Sequence, residues 1–107
     1  MEVISVAAAR QPEAVGKTVR LRGWVRTRRD SKGGFSFVEL NDGSSQGNVQ
    51  VVAPAALPNY EAVVKHLHTG ASVVVDGEVK ASPAKGQATE VHATAVELVG
   101  DAPAETY

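Results

Sequence analysis

Seven of the eleven lysines and arginines, Lys17, Arg20, Arg22, Arg26, Arg28, Arg29 and Lys32, fall within sixteen positions whose only acid is Asp30, and Phe35 and Phe37 follow directly. Guanidinium groups hold phosphate through paired, charge-assisted hydrogen bonds. An aromatic ring beside them offers a flat surface on which a nucleobase can stack, at about 1–3 kcal/mol per base. The net charge of the whole chain is only −1, so the footprint of a polyanion lies in the distribution of charge rather than in its sum. Gln50 presents a donor and an acceptor on one amide and Glu90 presents acceptors, which suits both to the pairing edge of an unstacked base. A basic run by itself is usually a solvated face, and polar side chains on strands are ordinary; the conjunction with two aromatics favours single-stranded nucleic acid.

Other chemistries find little support in the residues. There is no cysteine, which removes disulfides, thiolate zinc sites and thiol nucleophiles and fits a reducing, cytoplasmic setting. His66 and His68 are two apart on an expected helix and do not face together, and His92 stands alone, so neither a metal nor another cofactor is expected. No nucleophile has a base and an orienting partner at recognisable spacing. The opening run MEVISVAAAR carries Glu2 and is too short and weakly apolar for a secretory signal. No later stretch approaches membrane-spanning length, so no membrane partner is expected.

The elements that must position these residues follow from periodicity. Residues 18–29 alternate, with Val19, Leu21, Gly23 and Val25 on one side and Arg20, Arg22, Trp24, Arg26 and Arg28 on the other, the pattern of a half-buried strand. Gly23 suits a bend or bulge where one long strand serves both halves of a barrel. After the turn Asp30–Gly34, Ser36, Val38 and Leu40 alternate with Phe35, Phe37 and Glu39 in a second strand; at least one of the two rings is expected in the core, with Phe37 the exposed one. Asn41, Asp42 and Gly43 supply the next turn. A third strand covers 48–53 before Pro54 and Pro58 bar its continuation.

Asn59 can cap a helix over 60–68, with Tyr60, Val63, Val64 and Leu67 on its apolar face and Gly70 as the stop. A fourth strand is expected over 72–80. The fifth covers 89–98, with Val91, Ala93 and Ala95 on one side and Glu90, His92, Thr94 and Val96 on the other. With 43% hydrophobic residues, ten glycines and five aromatics, the composition favours a small β protein with frequent turns. Three strands, a helix and two strands is the order of a five-stranded OB-fold Greek-key barrel, all-β, with one helix between strands three and four. A sandwich or an SH3-like barrel also fits the strand count, but neither calls for a helix at that point. The chain reads as one domain, 1–107, with the barrel at about 17–99, an extension at 1–16 and a cropped hinge at 100–107. In such barrels strands two and three and the loops after strands one and four form the usual oligonucleotide groove, which is where the aromatics and the arginines fall.

The runs VRLRGWVRTRRDSKGGFSFVELNDGS and LPNYEAVVKHLHTGASVVVDGEVKASPAKGQATEV and the closing ETY resemble the N-terminal anticodon-binding domain of bacterial-type asparaginyl-tRNA synthetases, over nearly the whole chain. The pairing of GWVRTRRDSK with SPAKGQ is the specific part, because related aspartyl and lysyl enzymes share only the GWV-RRD core. The resemblance implies a clamp on the anticodon loop of a tRNA. The middle uridine would stack on Phe37 and be read by Gln50, Glu90 would help read the third base, and Arg26 and Arg28 would contact the RNA. It also implies that the catalytic domain, which binds ATP and activates asparagine, lies beyond this chain, so that the chain is not itself an enzyme. The segment SQGNVQ departs from the family's wording between strands two and three. The expected site is therefore Arg26, Arg28, Arg29, Lys32, Phe35, Phe37, Gln50 and Glu90, with a tRNA anticodon loop or other single-stranded RNA as partner. Two alternatives stay open: a general single-strand binder, and an engineered or reconstructed scaffold without a specific ligand, whose exposed rings would drive homo-oligomerisation.

Overall fold

A computed structural model describes residues 2–31, 33–44, 47–57, 60, 64, 67, 69–82 and 89–100. The alternating segments become strands β1 (Glu2–Val3), β2 (Thr18–Ser31), β3 (Phe35–Asn41), β4 (Val49–Pro54), β5 (Ser72–Ala81) and β6 (Thr89–Gly100). The last five close into a barrel in the order β2-β3-β4-β6-β5, with β5 returning to β2. β4 and β6 run parallel and the other barrel pairs antiparallel, which is the expected five-stranded OB topology. The inward positions interlock as a core of Val19, Leu21, Val25, Val38, Leu40, Val49, Val51, Val73, Val75, Val79 and Val91. Branched side chains suit this pleated interior, where each side chain packs against its neighbours across the strands. Of the expected helix at 60–68, Tyr60, Val64 and Leu67 are described and all three are buried; the rest of it lies outside the described residues.

One strand serves two sheets. Residues Thr18 to Trp24 pair with β5, and Trp24 to Ser31 pair with β3. Gly23 sits just before this transfer for a reason the sequence only half suggested: a Cβ there would lie 2.4 Å from the Asn41 carbonyl oxygen. The bulge itself falls three residues later, between Val25 and Thr27, and leaves Arg26 as the extra residue. A second irregularity changes the phase of β6. Asp76 faces Ala95 but Gly77 faces Ala93, so Thr94 is unpaired, Val96 turns into the core and Ala95 turns out, the reverse of simple alternation.

Residues 2–15 cover one end of the barrel. Glu2 and Val3 pair in parallel with Val19 and Arg20. Ser5 caps a single turn, α1 (Val6–Ala9), by accepting from the Ala8 N–H, and Val6 and Ala9 are buried. The Val6 and Ala7 N–H groups donate to Asp42 Oδ2 and Ser44 Oγ, each at 3.0 Å, and Thr89 Oγ1 donates to the Ala9 carbonyl at 2.6 Å. The segment therefore ties the β3–β4 turn to the start of β6.

Two carboxylates make this frame acid-sensitive. Asp76 accepts a forked pair of bonds from Arg20 Nε and Nη2 (2.7 and 3.0 Å) across β2 and β5, which holds its carboxyl below the usual 3.8. Burial pushes Asp42 up, but bonds from the Ser44 hydroxyl and N–H and from the Val6 N–H outweigh it and leave Asp42 lowered as well. A carboxyl held low when folded binds protons more readily when unfolded. Its contribution is therefore complete above the unfolded value and is lost as pH falls through the folded one. Urea midpoints are expected to hold from pH 7 to about 5 and to fall below about pH 4, and Asp76→Asn should flatten part of that fall; an unchanged acid limb in this variant would contradict the assignment.

Candidate nucleic-acid interface

The outer face of β2, β3 and β4 continues onto β6 and is laid out in rows by strand register. One row is Ser31, Phe35 and Pro54. The next is Arg29, Phe37, Val52 and His92, and the third is Thr27, Glu39, Gln50 and Glu90. Phe35 and Phe37 lie edge to face, with centroids 5.1 Å apart and planes at 85°. Neither ring is in the core, against the expectation that one would be. Val38 and Leu40 fix the phase of β3, and that phase sends Ser36 inward instead. Ser36 is tolerated at 0% exposure because its hydroxyl donates to Asp30 Oδ1 at 2.6 Å and lies 2.7 Å from the Tyr60 hydroxyl.

The Arg29 guanidinium carbon stands 4.9 Å from the centre of the Phe37 ring, within cation–π range. Beneath it a hollow of about 310 Å³ is lined by Thr27, Arg29, Phe37, Glu39 and Gln50. A stacking ring, a cation and an amide thus converge on one space able to take a flat heterocycle. A larger hollow of about 610 Å³ lies on the β2–β5 side around Arg22 and Trp24. There Asp42 and Glu97 offset Arg22, and Arg20 is paired with Asp76, so it suits a polyanion less well.

A family profile described as an OB-fold nucleic acid binding domain, of the tRNA anticodon type, matches residues 19–99. The chain belongs to this family. It is 54% identical over 107 residues to the asparagine-tRNA ligase of Rhodopirellula baltica, covering all of this chain and 22% of that protein. The asparaginyl-tRNA synthetase from Pyrococcus horikoshii, solved with asparaginyl-adenylate, superposes with a TM-score of 0.74 at 33% identity, over 87% of this chain and 21% of that one. An OBody bound to hen egg-white lysozyme superposes at 0.74 with 25% identity, over 89% and 91%. The chain thus spans about a fifth of the length of the synthetases it matches.

Within this OB domain the expected site residues divide. Arg29, Phe35, Phe37 and Gln50 share the outer face. Glu90 is beside Gln50 in register but is buried, with Oε2 2.5 Å from His92 Nε2. Arg26 is exposed in the bulge, where its carbonyl accepts from Thr69 Oγ1. Arg28 is turned to the other side of β2, half-buried, and donates to the Leu67 carbonyl (3.3 Å) and to Asp30 (2.7 Å). Its guanidinium braces the segment between β4 and β5. Lys32 lies outside the described residues. Thr27, Glu39 and His92 were not among the expected residues. Glu39 shares the alternation of Phe35 and Phe37, which was the available signal. His92 reaches Glu90 because residues i and i+2 of a strand share a face. Among the described residues no group of three or more potential metal ligands occurs, and no helix is long and apolar enough to cross a membrane.

Proposed function

We propose that this domain binds the anticodon loop of a tRNA, of the asparagine type, as single-stranded RNA on the outer face of β2, β3 and β4. The observation that carries this reading is the Arg29 guanidinium over the Phe37 ring beside Gln50, in one hollow of base-sized proportions. The base stacks on Phe37, the Gln50 amide addresses its edge, and Arg29 and Arg26 hold the flanking phosphates. Arg28 contributes by keeping the neighbouring segment in place. In this reading the domain's part is to recognise RNA, and its setting is the cytoplasm, where charged and uncharged tRNA circulate. The name shared by the ligase relatives supports the choice of tRNA over other single strands.

The test is a titration of an anticodon stem-loop RNA at several salt concentrations. With Arg26 and Arg29 each neutralising a phosphate, the slope of log K against log salt should be about −1.4, since a single strand gives about 0.7 per contact. A flat slope would overturn the reading. Equal affinity for poly-U and poly-C with the same slope would leave a general single-strand binder instead. Titrated as this domain alone, affinity should be modest, because a single module lacks the effective-concentration gain of a multi-domain grip.

A further inference from the structure

We propose that His92 carries the RNA face onto β6 by contacting an RNA phosphate through its protonated ring, so that each RNA bound takes up a proton. The inference rests on the reading of this face as an RNA site. His92 stands in the register row of Arg29, Phe37 and Val52, on the side of Phe37 away from Arg29. Two strand spacings, about 10 Å, separate it from Phe37. An RNA chain that crosses the sheet with a base on Phe37 therefore meets Arg29 on one side of that base and His92 on the other.

Four ionisable side chains meet at this end of the row. On β5, Glu78 faces His92 and Lys80 faces Glu90. Glu90 Oε2 lies 2.5 Å from His92 Nε2, and Lys80 Nζ lies 3.2 Å from Glu78 Oε2. On the other flank β4 presents Val52 to His92 and Gln50 to Glu90, neither of them charged. A carboxylate only accepts, so His92 Nε2 carries the hydrogen of the bond to Glu90. The other ring nitrogen, Nδ1, has no hydrogen-bond partner among the described residues, and 46% of the side chain is exposed. While the ring is neutral, Nδ1 holds a lone pair and has nothing to give a phosphate oxygen, which also only accepts. Protonation makes Nδ1 a donor. It also cancels the net charge of −1 that two carboxylates and one ammonium leave on the group. The phosphate contact thus requires the proton, and a ligand that favours the protonated form binds more tightly as pH falls.

The test is a fluorescence anisotropy titration of the anticodon stem-loop between about pH 5.5 and 8, on the wild-type domain and on His92→Gln. The window lies above the acid limb set by Asp42 and Asp76, and the phosphates and unpaired bases of the RNA keep their protonation states across it. The wild type should bind roughly tenfold more tightly at the acid end, the scale of one charge-assisted hydrogen bond. Its salt slope should steepen there by about 0.7, one further phosphate contact. His92→Gln keeps a donor for Glu90 but does not titrate, so its affinity and slope should stay level; His66 and His68 remain in it as the control for uptake elsewhere. Calorimetry in two buffers of different ionisation enthalpy reads the proton directly, and the wild type should show net uptake that His92→Gln lacks. Circular dichroism melts control for folding. A wild-type affinity level with pH, no proton uptake, or a rise that persists in His92→Gln overturns the role of His92 and leaves salt-dependent RNA binding standing. Absence of any salt-dependent RNA binding by the wild type overturns both readings together.

Discussion

Replacing Phe37 by alanine is expected to weaken binding of the anticodon stem-loop by about tenfold to a hundredfold while leaving the fold in place. Two losses combine. The base loses its stacking partner, a contact of about 1–3 kcal/mol, and every 1.4 kcal/mol is about tenfold in affinity. Arg29 also loses the ring over which it stands at 4.9 Å, so the cation beside the base is no longer pre-positioned. The barrel should tolerate the change because Phe37 lies outside the core, on the face opposite Ser36, Val38 and Leu40. Thermal midpoints of Phe37→Ala and wild type should therefore agree within a few degrees. Phe37→Trp keeps the stacking surface and should retain most of the affinity. Anisotropy titration measures the binding, and sedimentation velocity run alongside measures assembly. Unchanged RNA affinity with loss of a dimer would assign the rings to contacts between copies of the chain.

Most of the frame was legible because alternation is a strong signal in a barrel with one dry face. The five barrel strands begin and end within about two residues of where the period-two pattern puts them, since Val and Leu at every second position leave only one register that buries them. Alternation fails where the backbone inserts a residue. The bulges at Arg26 and Thr94 leave no mark in composition, and the second of them exchanged Ala95 and Val96 between surface and core. The capping of the barrel end by Val6 and Ala9 was equally silent, because a four-residue turn gives too short a pattern to recognise.

The site was partly legible for the same reason. Alternation placed Phe35, Phe37 and Glu39 together, but the assumption that so small a barrel needs a phenylalanine inside pointed the wrong way: a serine bonded to Asp30 and Tyr60 occupies the position. Arg28 illustrates the other limit. Its residue type suggested phosphate, while its parity, one residue out of step with Arg29, turns it toward Leu67 and Asp30. Charge counting along a strand cannot separate the two sides until the phase of the strand beyond its bulge is known.

The frame is held by close backbone approaches, one of them at Gly23, and Gly23→Ala is expected to destabilise the domain by about 3 kcal/mol, the upper end of what overpacking costs. A Cβ on Gly23 would sit 2.4 Å from the Asn41 carbonyl oxygen and 3.3 Å from Leu40 Cγ. The first of these is a backbone atom at the end of β3, so no rotamer change relieves the clash. Either β2 and β3 separate where β2 transfers between sheets, or Leu40 gives up its place in the core. In a domain of this size that cost corresponds to a fall in thermal midpoint of about 15 °C. Gly100→Ala is the matched control, since nothing lies within 4 Å of its Cβ position and its midpoint should barely move. A Gly23→Ala midpoint equal to that of the control would mean the approach relaxes without cost. The two substitutions also separate frame from face. Asn41 lies four residues along β3 from Phe37, so below its lowered midpoint Gly23→Ala should bind the stem-loop within a few-fold of wild type. Phe37→Ala should show the reverse pattern, with stability kept and affinity lost.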